Sequence, residues 1–448
     1  MIPIVTIELR SESTDLATLF RYDSVEPGGE EIGMHVSLLR KGNWLAAGFI
    51  ACSALFAAHN VSSHGTAGAP GDLDKARLIE FPDTATFKTL VVDLHTHSVF
   101  SDGHVWPNVR VSEAQRDGLD ALAITEHIEY QPHLEQLPHP DRNAAYNEAA
   151  TAAQGSDLIV ISGSEITRAA PAGHMNAVFV EDSNRLLKLP AADVTYDPGE
   201  FYQAAAQWPP AEAVRAANEQ GAFVFWNHPW WSSDTPDSRT RITDFHTDLV
   251  RRGELHGIEL VNGGTYNEEA HQIALDHDLV LLGTSDVHNL IDWDYTPHAG
   301  GHRPVTLVLA EEHSADSLKE ALFAGRTIVW FKNLLIGREA HLQPLLQASL
   351  TMENARYHPT NEIVLVTLVN HSDAHFRLRH TTTANVSFGG YSDMVDVSPH
   401  ATIEMGIKPA QHLTNLTLEF EVLNALTAPN THPRLTLQQE VTQRPGTD

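Results

Sequence analysis

Residues 94–103 read LHTHSVFSDG and follow directly on the apolar run Leu90–Leu94. A short run of β-formers that ends on two histidines is the pattern of a buried strand delivering side chains to the end of a sheet. In an extended segment residues i and i+2 project to the same side, so His95 and His97 can offer two ligands to one cluster. Asp102 lies in the loop that follows. One such pair would mean little by itself, since an isolated HxH is more often an accident than a site.

The pattern recurs outward along the chain. Ala121–Thr125 runs into Glu126 and His127, Leu158–Ser162 into Glu165, Ala222–Trp226 into His228, and Leu279–Gly283 into Asp286 and His288. Met175–Val180, Gly257–Val261 and Val305–Leu309 are further strand candidates, the first of them opened by His174. Amphipathic stretches separate these runs; Pro107 and Pro210 suit first helical turns, and Gly155, Gly221 and Gly325 suit helix ends. Alternation of this kind predicts repeated βα units, hence a barrel-like α/β domain between about Phe87 and Phe331. All strand C-termini of a parallel barrel lie on one face, so these residues converge on one mouth, where active sites of that architecture sit.

The donor types point to metal. The chain has 27 histidines and one cysteine, Cys52, so a thiolate cage is excluded and His, Asp and Glu must supply any ligands. The ordered set LHTHSVFSDG, ITEH, SGSEIT, GHMN, NHP and SDVH resembles the PHP family, named for polymerase and histidinol phosphatase, over about residues 90–335. That resemblance implies a distorted (β/α)7 barrel with a multinuclear site holding two to three divalent ions. It implies that His95, His97, Glu165 and Asp286 hold a first ion, that Glu165 bridges to a second held with His174 and His228, and that Asp102, His127 and His288 hold a third. Asp102 departs from family phosphatases that place histidine there; Glu126 and Asn227 stand where Asp and Ala are common. Such hard and borderline donors suit Zn, Mn or Fe.

Charge narrows the chemistry. Lys+Arg 29 against Asp+Glu 58 gives a net charge of −29, which repels nucleic-acid backbones and anionic membranes. Three divalent ions among Asp102, Glu165 and Asp286 would nevertheless leave the pocket cationic and suited to a compact anion. The expected activity is metal-dependent hydrolysis of small organic phosphate diesters or monoesters by a metal-bridging hydroxide, with Asp286, Glu165 and His174 as catalytic residues. Arg168 and the tryptophans of FWNHPWW, Trp230 and Trp231, are candidate substrate contacts, with an ion pair and core packing as the competing roles. No GxSxG elbow, HExxH helix or GxxxxGK[ST] loop occurs. The alternatives are a metal-dependent hydrolase of a C–N or carboxylic ester bond, or an exported protein that binds metal or glycan without catalysis.

The flanks differ from the barrel. Read from Met34, Arg40 and Lys41 precede the apolar run LAAGFIACSALFAA (Leu45–Ala58), the form of a signal peptide over 34–63, with 1–33 as an over-extended start and 64–88 as a linker. This predicts a periplasmic or secreted protein without a transmembrane segment; a buried N-terminal helix is the competing reading and would imply a cytoplasmic one. With 42% hydrophobic and 19% charged residues the remainder is ordinary globular composition. The barrel is expected over 89–338. Beyond it, Glu362–Val369, Thr383–Phe388, Ala401–Ile407 and Leu413–Val422 predict a small all-β sandwich over 345–440.

Overall fold

The computed structural model describes residues 78–189, 195–231, 237, 239–382, 386–389 and 393–443. The expected leader over 1–63, Cys52 and most of the linker lie outside them. No helix among the described residues is long and apolar enough to cross a membrane.

The first eleven strands build one curled sheet: β1 (Lys88–Asp93), β2 (Ala121–Ile124), β3 (Ile159–Thr167), β4 (His174–Val178), β5 (Phe223–Trp226), β6 (Gly257–Asn262), β7 (Thr265–Tyr266), β8 (Val280–Thr284), β9 (Val305–Ala310), β10 (Thr327–Phe331) and β11 (Leu334–Gly337). Their burial is nearly continuous, because helices such as Pro107–Asp117, Pro210–Asn218 and Ala315–Phe323 cover the outer face. Pro107 and Pro210 each open a helix, where the missing N–H costs nothing.

The sheet is a distorted barrel, and the distortion corrects the expectation of uniformly parallel βα units. β1, β2 and the first half of β3 run parallel, as do β5, β6 and β8. β4 is antiparallel to both β3 and β5, and β9 is antiparallel to β1. The cause lies in β3. Its residues 159–162 pair with β2, whereas Gly163–Thr167 pair with β4. The change of partner falls at Gly163, where a Cβ would sit 2.9 Å from Thr125 Cγ2 and 3.0 Å from the Ala177 carbonyl oxygen. Glu165 therefore lies within a strand rather than beyond its end. Because β4 runs backwards, its first residue, His174, reaches the same mouth as the ends of β3 and β5.

No ladder joins β8 to β9; the Thr306 side chain bridges them, with the Gly283 N–H donating to Thr306 Oγ1 and that hydroxyl donating to the Gly283 carbonyl. The barrel closes at its mouth, where the Asp286 N–H donates to the His95 carbonyl at 2.9 Å and the His97 N–H to the Val287 carbonyl at 3.1 Å. Nearer its base β8 crosses β10 so closely that a Cβ on Gly283 would lie 2.3 Å from Val329 Cγ1. Gly283→Ala should accordingly destabilise the protein by about 1–3 kcal/mol through overpacking. A thermal melt would read this as a lower Tm, and an unchanged Tm would show slack between β8 and β10.

The C-terminal part is all β: β12 (Leu350–Tyr357), β13 (Val364–Asn370), β14 (Phe376–His380), β15 (Val386–Gly389), β16 (Met394–Val397), β17 (Thr402–Pro409), β18 (Asn415–Val422), β19 (Ala425–Leu426) and β20 (Arg434–Glu440). Two four-stranded sheets, ordered β12-β13-β17-β15 and β16-β14-β18-β20, contribute alternate residues such as Val364, Val366, Leu378 and Phe420 to one core. Between the two expected domains the chain does not form a linker. A helix, Glu339–Ser349, spans that stretch and runs straight into β12, and β19 pairs in parallel with β11 of the barrel sheet. Apolar residues of barrel and sandwich, among them Leu307, Trp330, Leu345 and Phe376, form one continuous cluster.

Candidate metal centre

Four ligand atoms, from the segments after β1 and β8 and from within β3, crowd one point. His95 Nε2 and His97 Nε2 are 3.0 Å apart; Glu165 Oε2 lies 3.3 and 3.1 Å from them, and Asp286 Oδ1 lies 3.2 Å from each. Two imidazole nitrogens facing each other beside two carboxylate oxygens leave one small volume lined by electron pairs. A second group forms about the other oxygen of Glu165, with His174 Nδ1 at 2.8 Å and His228 Nε2 at 3.5 Å. The third surrounds Asp102 Oδ1, with His288 Nε2 at 3.1 Å, His127 Nε2 at 3.4 Å and His97 Nδ1 at 3.7 Å. Although these nitrogens are near, the oxygen is buried without a hydrogen-bonded partner. His127 belongs to two groups, because its Nδ1 is 3.0 Å from Glu165 Oε2. Thr167 Oγ1, 2.6 Å from that same nitrogen, fixes the ring.

The backbone is bent to make this convergence. Asp286 has φ 51° and His228 φ 24°, both in the left-handed region that L side chains avoid. Such conformations cost about 1–3 kcal/mol each and collect at functional sites. At Asp286 the bend lets one residue close the barrel through its N–H and aim its carboxylate inward.

Charge is arranged for a cation. Burial alone would lower the His97 imidazole, but Asp286 and Glu165 outweigh it and push it up to about 10. His95, also buried, is raised well above the usual imidazole range by Asp286, Glu165 and Glu259. Burial would raise the carboxyls, yet the surrounding imidazoles hold Glu165, Asp286 and Asp102 far below the usual carboxylate range. His127 goes the other way, lowered by burial and then by His97. A site that pulls protons onto neutral bases in this way would gain by replacing them with dications.

A cleft of about 800 Å³ opens over the three groups and is lined by Asp102, His127, Glu165, His174, His228 and His288 among others. Trp231 stands at its edge, with ring centroids 4.9 Å from His174 and 5.7 Å from His228. Trp230 also lines the cleft but is half-buried and packs on the barrel core. Arg168 lines it too, yet its guanidinium is turned away from the ligand groups. It pairs with buried Glu129 and donates to the carbonyls of Thr167 at 2.9 Å and Trp208 at 2.8 Å. Of the two roles expected for Arg168, anion contact and ion pair, the structure shows an ion pair, with Glu129.

Comparison with known proteins gives the lineage. The PHP domain family matches residues 93–221, and an Ig-like domain family matches residues 350–438. A two-domain protein from Bacteroides vulgatus, containing a predicted PHP-like metal-dependent phosphoesterase, is 38% identical with a TM-score of 0.71, over 81% of this chain and 98% of that one. The chain belongs to the PHP family of metal-dependent phosphoesterases. Looser likenesses are to a phosphoesterase structure from Bifidobacterium adolescentis (22% identity, 47% of this chain and 90% of that one, TM-score 0.33) and to an amidohydrolase from Chromobacterium violaceum with bound sulfate and no metal (18%, 44% and 87%, TM-score 0.30). Neither carries an argument. No curated protein matches the chain.

In this PHP protein the ligand groups rest on a further set of residues. Glu259, at the middle of β6, accepts from Thr284 Oγ1 at 2.6 Å, the His228 N–H at 2.7 Å and Asn262 Nδ2 at 2.9 Å, and faces His95 Nδ1 at 2.8 Å. Asn262 Nδ2 also reaches Asp286 Oδ2 at 3.1 Å, and Asn227 Nδ2 donates to Glu165 Oε1 at 3.0 Å. Glu126 takes the hydroxyls of Ser98 and Ser101, and Ser101 in turn lies 3.2 Å from His97 Nδ1. One signal for Glu259 is present in the sequence: an acidic residue in the otherwise apolar run GIELV (Gly257–Val261). Asn262 carries no comparable mark, and Asn227 shows only as standing where Ala is common.

Proposed function

We propose that the protein hydrolyses small organic phosphate monoesters or diesters with two to three divalent ions, Zn, Mn or Fe, held by His95, His97, Asp102, His127, Glu165, His174, His228, Asp286 and His288. The single observation that carries this is the convergence of imidazole and carboxylate atoms at 3.0–3.3 Å about Glu165 Oε2 without mutual hydrogen-bond pairing to account for all of them. This donor set fits divalent cations: nitrogen and oxygen atoms only, buried, with fixed ring orientations. Bound there, the ions would supply Lewis acidity, making water nucleophilic near neutral pH and offsetting charge on the phosphate oxygens.

The chain's own part is binding and orientation. Glu165 spans two ligand groups through its two oxygens. Asp286, partly open to the cleft and held by Asn262, accepts a hydrogen bond from the attacking water and so aims its lone pair at phosphorus. His174 turns Nδ1 toward Glu165 Oε1 and the second ligand group, which leaves its Nε2–H to hydrogen-bond the leaving oxygen. Trp231 and Trp230 screen the cleft from bulk water on one side. The export reading from Met34 belongs to this proposal, since esters that cannot cross a membrane would need hydrolysis outside it.

The test compares bis(p-nitrophenyl) phosphate, p-nitrophenyl phosphate and p-nitrophenyl acetate, using metal-loaded and chelator-stripped protein. Release from either phosphate by the loaded protein, falling at least about a hundredfold on stripping and returning with metal, is the expected result. Stoichiometric metal binding with turnover of the acetate alone, or of nothing, would overturn the reading.

A further inference from the structure

The phosphoester reading leaves the alcohol unspecified, and the cleft wall bears on it. Among the described residues, eight large apolar side chains remain substantially exposed, and three of them line this one cleft: Tyr130 (43%), Tyr202 (38%) and Trp231 (43%). Exposed aromatic groups gathered at a cleft mark a binding surface more often than scattered ones do. They come from three separate parts of the chain: Tyr130 from the segment after β2, Tyr202 from the helix Pro198–Ala205, and Trp231 from the segment after β5. No single amphipathic helix face explains their meeting.

The three rings continue into the ligand groups. Tyr202 and Tyr130 have centroids 6.1 Å apart, Tyr130 and His127 5.8 Å, His127 and His174 5.7 Å, and His174 and Trp231 4.9 Å, each pair edge to face. An arc of aromatic faces therefore begins and ends outside the ligand groups and passes through two of their imidazoles. These spacings are those at which rings attract one another, so a further ring in the cleft would find partners at ordinary distances. Two polar groups on this wall are already engaged. The Thr167 hydroxyl lies against His127 Nδ1 at 2.6 Å, and Arg168 pairs with Glu129. A polyhydroxylated alcohol would gain little from either, whereas an apolar ring would gain contact area.

We propose that Tyr130, Tyr202 and Trp231 form the leaving-group subsite, and that the substrate is a phosphate ester of an alcohol bearing an apolar aromatic ring. This rests on the phosphoester reading. The mechanism adds no step: water attacks phosphorus, the P–O bond to the alcohol breaks, and the alcohol leaves with a proton while resting on the aromatic arc.

The experiment compares 2-phenylethyl phosphate with n-butyl phosphate on the metal-loaded full chain, since the two alcohols have similar acidity and differ in the ring. The kcat/KM ratio should favour the phenylethyl ester by about tenfold or more, corresponding to about 1.4 kcal/mol. In Tyr130→Leu/Trp231→Leu, which keeps apolar bulk but loses two rings, the ratio should fall to within about threefold of one. A wild-type ratio near one, or a ratio unchanged in the variant, overturns the subsite. If neither ester turns over, the p-nitrophenyl phosphates decide the phosphoester reading, and binding of 2-phenylethylphosphonate against butylphosphonate decides the subsite separately: tighter binding of the aryl compound supports it and equal binding overturns it.

Discussion

Glu165→Gln should cost the enzyme about a hundred- to a thousandfold in kcat/KM on whichever phosphate ester it turns over, with a fall in bound metal. The substitution keeps the volume of a fully buried side chain and removes its charge. Both oxygens are in use: Oε2 lies 3.0–3.3 Å from nitrogens of His95, His97 and His127, and Oε1 lies 2.8 Å from His174 and 3.0 Å from Asn227. An amide can present one acceptor at most, and its NH2 would face either the three imidazoles or the Asn227 amide donor. Whichever way it turns, one ligand group loses its shared carboxylate. Elemental analysis of the purified variant, with a thermal melt to show that it folds, reads the prediction. A variant with full metal content and undiminished rate would remove Glu165 from the centre of the site.

Much of this centre was legible because the chemistry-bearing residues follow short apolar runs, and such runs can be read locally. Ala121–Thr125 against β2 and Leu279–Gly283 against β8 differ from the structure by a residue at each end at most. What local reading cannot supply is the partner of a strand. Nothing in SGSEIT marks that β3 leaves β2 for β4 at Gly163, nor that β4 runs backwards, since direction is decided by residues distant in sequence. The same limit hid the helix Glu339–Ser349: Pro344 in its interior argues against a helix, and packing of Leu342, Leu345 and Leu346 against the barrel and sandwich core overrides it. His271 is a smaller instance; it follows no strand end, yet it is buried with its Nδ1 2.9 Å from the Tyr266 hydroxyl.

The supporting residues were hidden for a different reason. Asn227 and Asn262 act through one side-chain amide each, that of Asn262 reaching both Glu259 and Asp286, and an asparagine at a strand end says little until its neighbour is known. Their positions show how folding and site assembly are coupled. The barrel closes through the backbones of His95, His97, Asp286 and Val287, so the residues that would hold metal also hold the first and eighth strands together. Ligand geometry and barrel closure are one structural event.

Glu259 is where that coupling is most exposed to test. Its Oε1 faces His95 Nδ1 at 2.8 Å and Thr284 Oγ1 at 2.6 Å, which turns His95 Nε2 toward the ligand group and ties the ring to the end of β8. Its Oε2 takes the His228 N–H and the Asn262 amide, and that amide also holds Asp286. The β6–β8 ladder slips between Glu259 and Val261, a local irregularity of the kind that re-aims a side chain. Glu259 thus touches two ligand residues, His95 and His228, and reaches a third, Asp286, through Asn262, while holding none of the convergent positions itself. Glu259→Gln keeps the volume but sets an NH2 against at least one existing donor, so His95 and Asp286 should lose their fixed orientation. The expected result is a metal affinity about 10–100-fold weaker, a lower Tm, and a rate that recovers substantially at saturating metal. Competition with a chromogenic chelator measures the first, and metal titration of kcat separates a positioning role from a catalytic one. Should the dissociation constant stay unchanged, or the rate stay low with the site filled, Glu259 would not act by orienting the ligands.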